Sequence, residues 1–228
     1  MTLSTDGFAY DRPQVQKAGP VRQIIGGIDQ RLSRNQGVKP FSHDERCILR
    51  YALLRSPWSF SLSDGSRVER GDPVIDIHCW NERVPPMPSS GPELAWAQDI
   101  SKRLRYSLRL LAAEMITDPA LQPARACRAR VNFVGRGCSN ESVSRIIGRL
   151  GFEDINEGPS SSWALIHDQL ENVLTAALVW TYNPKALRRD KMVREKRPVW
   201  ASRETLLQRY AGTAVIVAKT PEGLAYRR

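Results

Sequence analysis

The chain has 228 residues, a formal net charge of +10 and 41% hydrophobic residues. That is enough apolar chain for one core without disulfide or metal staples. The charge implies an anionic partner (nucleic acid, anionic lipid or a phosphorylated molecule) and carries no information about fold.

The four cysteines, Cys47, Cys79, Cys127 and Cys138, show no CxxC pair and no Cys–His zinc spacing. A disulfide framework and a zinc site are therefore not expected. Cys79 and Cys127 stand in apolar surroundings and are expected to be reduced core residues. The first twenty residues contain no apolar h-region. No apolar run approaches the roughly 18–20 residues that span a bilayer. The expectation is a cytoplasmic protein, free or associated with a membrane surface.

Residues 1–40 are polar, basic and broken by Gly and Pro. They read as a flexible arm with a short helix within Val21–Leu32, weakened by Gly26 and Gly27. Ser42 and Glu45 form a capping-box pattern that predicts a helix over His43–Leu54, ended by Pro57. Trp58–Leu62 alternates like a strand, and Ser63-Asp64-Gly65-Ser66 is a turn. A second turn at Arg70-Gly71-Asp72 leads into a strand over Val74–Trp80. Gly91-Pro92-Glu93 opens a long helix with an apolar seam from Leu94 to Met115. Lys102, Arg105 and Arg109 fall on its other face.

Arg130–Val134 is then a strand, and Ser139 caps a helix through Leu150. Gly151 takes the left-handed position past its end, and Phe152–Ile155 is a short strand. An apolar helix runs from Ser160-Ser161-Ser162 to Tyr182, followed by a basic segment from Lys185 to Arg197. Ser202 caps a last helix through Tyr210, and Ala214–Ala218 reads as a strand before the tail. The mixed order predicts an α+β fold: one domain over 41–210, with a small mixed or antiparallel sheet packed by several helices, and residues 211–228 as a C-terminal strand and tail.

The order of motifs resembles the YkoP-like family of bacterial proteins over Val68–Tyr210. The residues that carry it are Gly71 and Asp72 entering a strand, then Ile77, His78 and Asn81 at its end. Arg105, Ser107, Leu108, Leu111 and Ala112 follow on a helix. Leu150, Gly151 and Phe152 close another helix, and Trp200, Ser202, Arg203, Leu206 and Leu207 complete the pattern. The chain departs from it at Trp80 and Glu82 and in its longer basic arm. The resemblance implies a cytoplasmic bacterial protein linked to envelope lipid or glycan metabolism, and it supplies no catalytic residues.

Strand alternation puts Asp76 and His78 on one face. Asp76 can then orient the imidazole for acid–base work, with Asn81 at the strand end, where active-site groups often sit. The structural alternative is a histidine hydrogen-bonded in the sheet. Arg105, Arg136 in the Gly135–Asn140 loop, and Arg203 are candidate anion ligands. Arg188, Arg189, Lys191, Arg194, Lys196 and Arg197 follow Trp180 and Tyr182, the pattern of an interfacial anchor for an anionic membrane. No metal site or cofactor is expected, since the three histidines are scattered.

Three functions follow as expectations. The leading one is an accessory or ligand-binding protein at the membrane face, with His78, Asn81 and Arg105 lining one pocket. The second is a transferase-like enzyme on an anionic or lipid-linked substrate, with His78 as general base. The third is a nucleic-acid binder, supported by charge alone.

Overall fold

The computed structural model describes residues 37–86, 88, 93–131, 140–155 and 197–218. The strands are β1 (Leu49–Arg55), β2 (Phe60–Ser61), β3 (Arg67–Val68), β4 (Pro73–Cys79), β5 (Ala126–Val131), β6 (Glu153–Asp154) and β7 (Arg197–Ser202). The helices are α1 (Leu94–Thr117), α2 (Asn140–Arg149) and α3 (Arg203–Ala218). Five strands form a mixed sheet in the order β1-β4-β5-β7-β6, and β2–β3 is a separate hairpin. This is an α+β fold.

β4 and β5 are parallel, while the other neighbours in the sheet are antiparallel. A parallel pair requires a long crossover, and α1 supplies it. Strand alternation then divides the sheet. Ile75 and Ile77 of β4 point toward the helices, with Leu49 and Tyr51 of β1, Cys127 of β5 and Val199 and Ala201 of β7. Leu108, Leu111, Ala112 and Met115 of α1 and Leu206 and Tyr210 of α3 close over them. Each fully buried aliphatic side chain contributes about 1.5–3 kcal/mol. On the opposite face Val74, Ala126 and Trp200 are covered by Leu62 and Val68 of the hairpin, with Phe60 tilted against the Trp200 ring at 4.6 Å.

The expected strand over Val74–Trp80, the long helix, the helix after Ser139 and the left-handed Gly151 (φ 90°) are all present. Four expectations are corrected. His43–Leu54 is not a helix: Ser42 Oγ accepts from Asp44 N at 3.1 Å in a tight turn, and Leu49–Arg55 pairs along the whole of β4. Its apolar residues fit either period, and the cross-strand partners decide. The strand placed at Arg130 begins earlier, at Ala126, because β4 and β7 set its register. Ala214–Ala218 continues α3; its β-branched residues follow a capped helix that meets no stop signal. Cys127 is buried, whereas Cys79, expected beside it in the core, is exposed.

Polar staples join the layers. Ser107 Oγ, fully buried on α1, accepts from Ile48 N at 2.9 Å and donates to Arg103 O at 2.8 Å. The Arg83 guanidinium donates to the Asp44 carbonyl at 2.7 Å, holding the loop before β1. Partial burial pushes the Asp44 carboxyl up, but hydrogen bonds from Arg46 and Tyr106 outweigh it and hold it at about 2.

The hairpin turn is tied to the start of α3. Ser202 Oγ accepts from Thr205 N at 2.8 Å, capping the helix, and donates to Asp64 Oδ2. Thr205 Oγ1 donates to the same carboxylate oxygen at 2.9 Å. Desolvation raises the Asp64 pKa, yet bonds from Ser202, Ser66 and Thr205 bring it down to about 2.

Two outcomes are expected. Ser107→Ala strands the Ile48 N–H and lowers unfolding free energy by about 1–3 kcal/mol in urea melts. For Asp64, the folded pKa lies below the usual carboxyl value of 3.8. Its contribution is therefore complete above that value and disappears as pH falls toward 2. Asp64→Asn should flatten this acid limb of the stability–pH curve; an unchanged limb would show that the clamp contributes nothing.

Candidate functional site

The face of β4 turned away from the helices carries Val74, Asp76 and His78. Val74 lies under the hairpin, and the polar residues begin where that cover ends. His78 Nε2 stands 3.1 Å from Asp76 Oδ2. The pairing brings arginines to the same face. Arg50 of β1 is opposite His78, and Arg128 of β5 is beside Asp76. Arg130 follows two residues along β5, opposite Pro198 of β7. Each is half-buried.

Two tryptophans frame the group. The Arg128 guanidinium carbon is 5.6 Å from the centre of the Trp200 ring, and that of Arg50 is 5.6 Å from Trp80. Arg83 lies closer over the other ring, at 3.5 Å from the Trp80 centroid. Such cation–π contacts let guanidinium groups sit half-buried on a sheet.

Asp76 is only 6% exposed, and its Oδ1 is buried without a hydrogen-bond partner. A buried carboxylate oxygen normally accepts at least one bond. Here one oxygen engages the histidine and the other is free to accept, on a face with three arginines nearby. The His78 side chain keeps 32% exposure, so the pair is reachable at its imidazole end. The group lies toward the C-terminal ends of the parallel strands β4 and β5. Side chains there are held by a rigid ladder on both sides.

Of the other expected site residues, Arg105 and Arg203 lie apart from this group. Asn81 opens a 3-10 turn, Asn81–Arg83, directly after β4; its side chain lies outside the described residues. Arg105 is on α1, so the sheet stands between it and His78, and the expected pocket joining the two does not form. Arg203 spends its guanidinium on the backbone, donating to Met115 O at 2.6 Å and Leu121 O at 3.0 Å. It staples α3 to the end of α1 in place of the expected anion contact. Arg136 and Arg188, Arg189, Lys191, Arg194 and Lys196 lie outside the described residues. The backbone of Arg197 belongs to β7, opposite Val131, so the basic segment ends in the sheet.

Sequence reasoning missed Arg50, Arg128 and Arg130. The first was hidden by the helix expected over His43–Leu54, and Arg128 by the late start given to β5. The signal was present in the alternation of Arg128, Ala129 and Arg130.

An open cleft lined by Leu53, Leu54, Arg55, Pro73, Ala120 and Pro123 lies at the other end of β4, with no carboxylate or histidine in its lining among the described residues. Among the described residues, no cluster of three or more His, Cys, Asp or Glu side chains is placed to hold a metal. No helix there is long and apolar enough to cross a membrane.

Neither a curated protein nor a solved structure matches the chain. The sequence model of the YkoP domain matches residues 21–210. That span contains all of Val68–Tyr210, every strand of the sheet and the Asp76–His78 pair. With most of its length inside the match, the chain belongs to the YkoP domain family.

Proposed function

We propose that the face around Asp76 and His78 binds a small anionic molecule, and that the protein is a ligand-binding accessory in envelope lipid or glycan metabolism. The observation that carries the binding site is the buried Asp76 Oδ1 without a donor, on a face where Arg50, Arg128 and Arg130 are gathered. A ligand carrying both a hydroxyl and an acidic group suits it. The hydroxyl meets the exposed imidazole end of the pair, and the acidic group faces the arginines, whose planar forks match carboxylate and phosphate. The envelope link rests on the family resemblance.

Association with an anionic membrane belongs to the same reading. Arg188, Arg189, Lys191, Arg194, Lys196 and Arg197 would supply it, each cation near the surface adding about 1 kcal/mol. Co-flotation with anionic but not neutral vesicles, lost on raising salt, is its measurement.

The Asp76–His78 contact favours one further reading. With Nε2 held by the carboxylate, Nδ1 is the ring nitrogen left to take a proton from a substrate hydroxyl. The pair would then serve as a general base in a transferase-like reaction. Turnover abolished by His78→Gln, with ligand binding retained, would separate catalysis from binding. Nucleic-acid binding has only net charge in its favour and would show as a gel shift at low salt.

The chain has three histidines, so ring-labelled spectra resolve them. Adding glycerol 3-phosphate should move the His78 resonance and leave His43 and His167 in place. Asp76→Asn should weaken that response about tenfold, as expected for loss of a charged partner in a polar site. A His78 signal that stays fixed, or moves no more than the other two, would sink the proposed site.

A further inference from the structure

The cleft at the far end of β4 lies along an edge of the sheet. β1 is the edge strand there, and its last three residues, Leu53, Leu54 and Arg55, form one wall. Pro73, Ala120 and Pro123 complete the lining. Leu53 is 41% exposed and Leu54 37%, so two leucines stand in water on an edge strand. An apolar edge left open is a template for unwanted pairing, and folded chains normally cover it.

The chain itself delivers a cover to this place. Before β1, Lys39 forms an antiparallel bridge with Tyr51. Lys39 N donates to Tyr51 O at 2.7 Å, and Tyr51 N donates to Lys39 O at 3.0 Å. The Phe41 ring lies against that of Tyr51, with centroids 6.1 Å apart. Antiparallel pairing sets the direction of the chain. Moving back from Lys39 moves forward along β1, which brings Gly37 level with Leu53. Gly37 has φ 68°, a left-handed turn conformation that ends the extended run. The chain before Gly37 therefore leaves the sheet edge at the cleft.

Residues 21–32, which lie outside the described residues, have the pattern to fill it. Ile24, Ile25, Ile28 and Leu32 follow helical spacing and share one apolar face. The tether from Leu32 to Gly37 reaches up to about 17 Å. The strand from Tyr51 to Leu53 covers only about 7 Å, so the tether is long enough. The match to the YkoP domain begins at residue 21, so the segment belongs to the family pattern. A separate chain is a poorer occupant. A stable interface between two chains takes about 20–30 residues a side, and this cleft is much smaller. A tethered segment needs no such area, because linkage raises its local concentration.

We infer that the apolar face of residues 21–32 docks in this cleft, setting its isoleucines against Leu53 and Leu54 and closing the open edge of β1. The docking site is independent of the Asp76–His78 face, which lies toward the other end of β4.

The test measures how fast a maleimide labels residue 54 in the full chain carrying Leu54→Cys, read by mass spectrometry at two protein concentrations. Ile24→Ser/Ile28→Ser is added to that chain and compared with Phe8→Ser/Val15→Ser, which lies outside the family match. Labelling of the buried Cys127 reports on folding and stays slow wherever the core is intact. If the double variant loses its core, Ile28→Ala alone takes its place. Loss of the isoleucines should speed labelling at residue 54 about tenfold, the factor expected for one lost buried aliphatic contact. The Phe8/Val15 variant should label like the parent, and dilution should change neither rate. Equal rates with and without the isoleucines, or the same acceleration in the Phe8/Val15 variant, would overturn the docking. Protection lost on dilution would assign the cleft to a second copy of the chain and overturn it as well.

Discussion

The structure depends on β4 being committed on both faces and both edges. It pairs with β1 on one side and β5 on the other. Ile75 and Ile77 are locked under α1, so the backbone phase of the strand is fixed. That phase leaves Asp76 no choice but to point into the opposite layer. A one-residue slip would turn Asp76 toward Leu111 and Met115 and carry Ile75 and Ile77 to the opposite face. The hydrophobic layer thus aims the carboxylate, and the carboxylate's neighbours follow from strand pairing.

Rigidity around that carboxylate comes from staples that span the chain. Ser107 joins α1 to the strand entering the sheet, Arg203 joins α3 to the end of α1, and Asp64 joins the hairpin to the cap of α3. Ser107 is buried, Arg203 is half-buried and the exposed Asp64 bonds the buried Ser202, each pairing residues far apart in sequence. Loss of one partner leaves a desolvated group behind, which is where such contacts exert their energetic weight. The hairpin is the clearest case. Two-residue strands are too short to persist alone, and β2–β3 persists because its turn is held by α3 and its apolar residues cover Trp200. The same hairpin marks where the apolar cover over the outer face stops.

How much of this was legible follows the range of the interactions. The strand at Val74, the helix of the Leu108 seam, the glycine after α2 and the Ser202 cap all rest on local chemistry, and all are present. Asp76 and His78 sharing a face needed only the period of a strand. β1 was misread because Ile48, Leu49, Ala52 and Leu53 fit a helix as well as a strand. Only the seven-residue register with β4 separates the two. The placement of Arg50 and Arg128 beside His78 and Asp76 depends on that register, so no local pattern could reveal it. Arg203 shows the converse: a cation that looks free in sequence is consumed by carbonyls at the end of another helix.

The same division explains why His78 and Arg105, expected with Asn81 in a single pocket, stand on opposite faces of the sheet. His78 stands at a strand end and Arg105 in the middle of α1, and both belong to the family pattern, but the sheet lies between them. Among the described residues, arginines accordingly lie on both faces of the sheet. On the strand face, Arg128 and Arg50 lie against Trp200 and Trp80, around a carboxylate. On the helical face, Arg105 and Arg109 stand one turn apart on α1. Arginines far outnumber lysines in the chain. A weakly hydrated planar cation can pack on aromatic rings and half-buried strands, where an ammonium would lose its water. Among the described residues, arginine is therefore built into both layers of the fold.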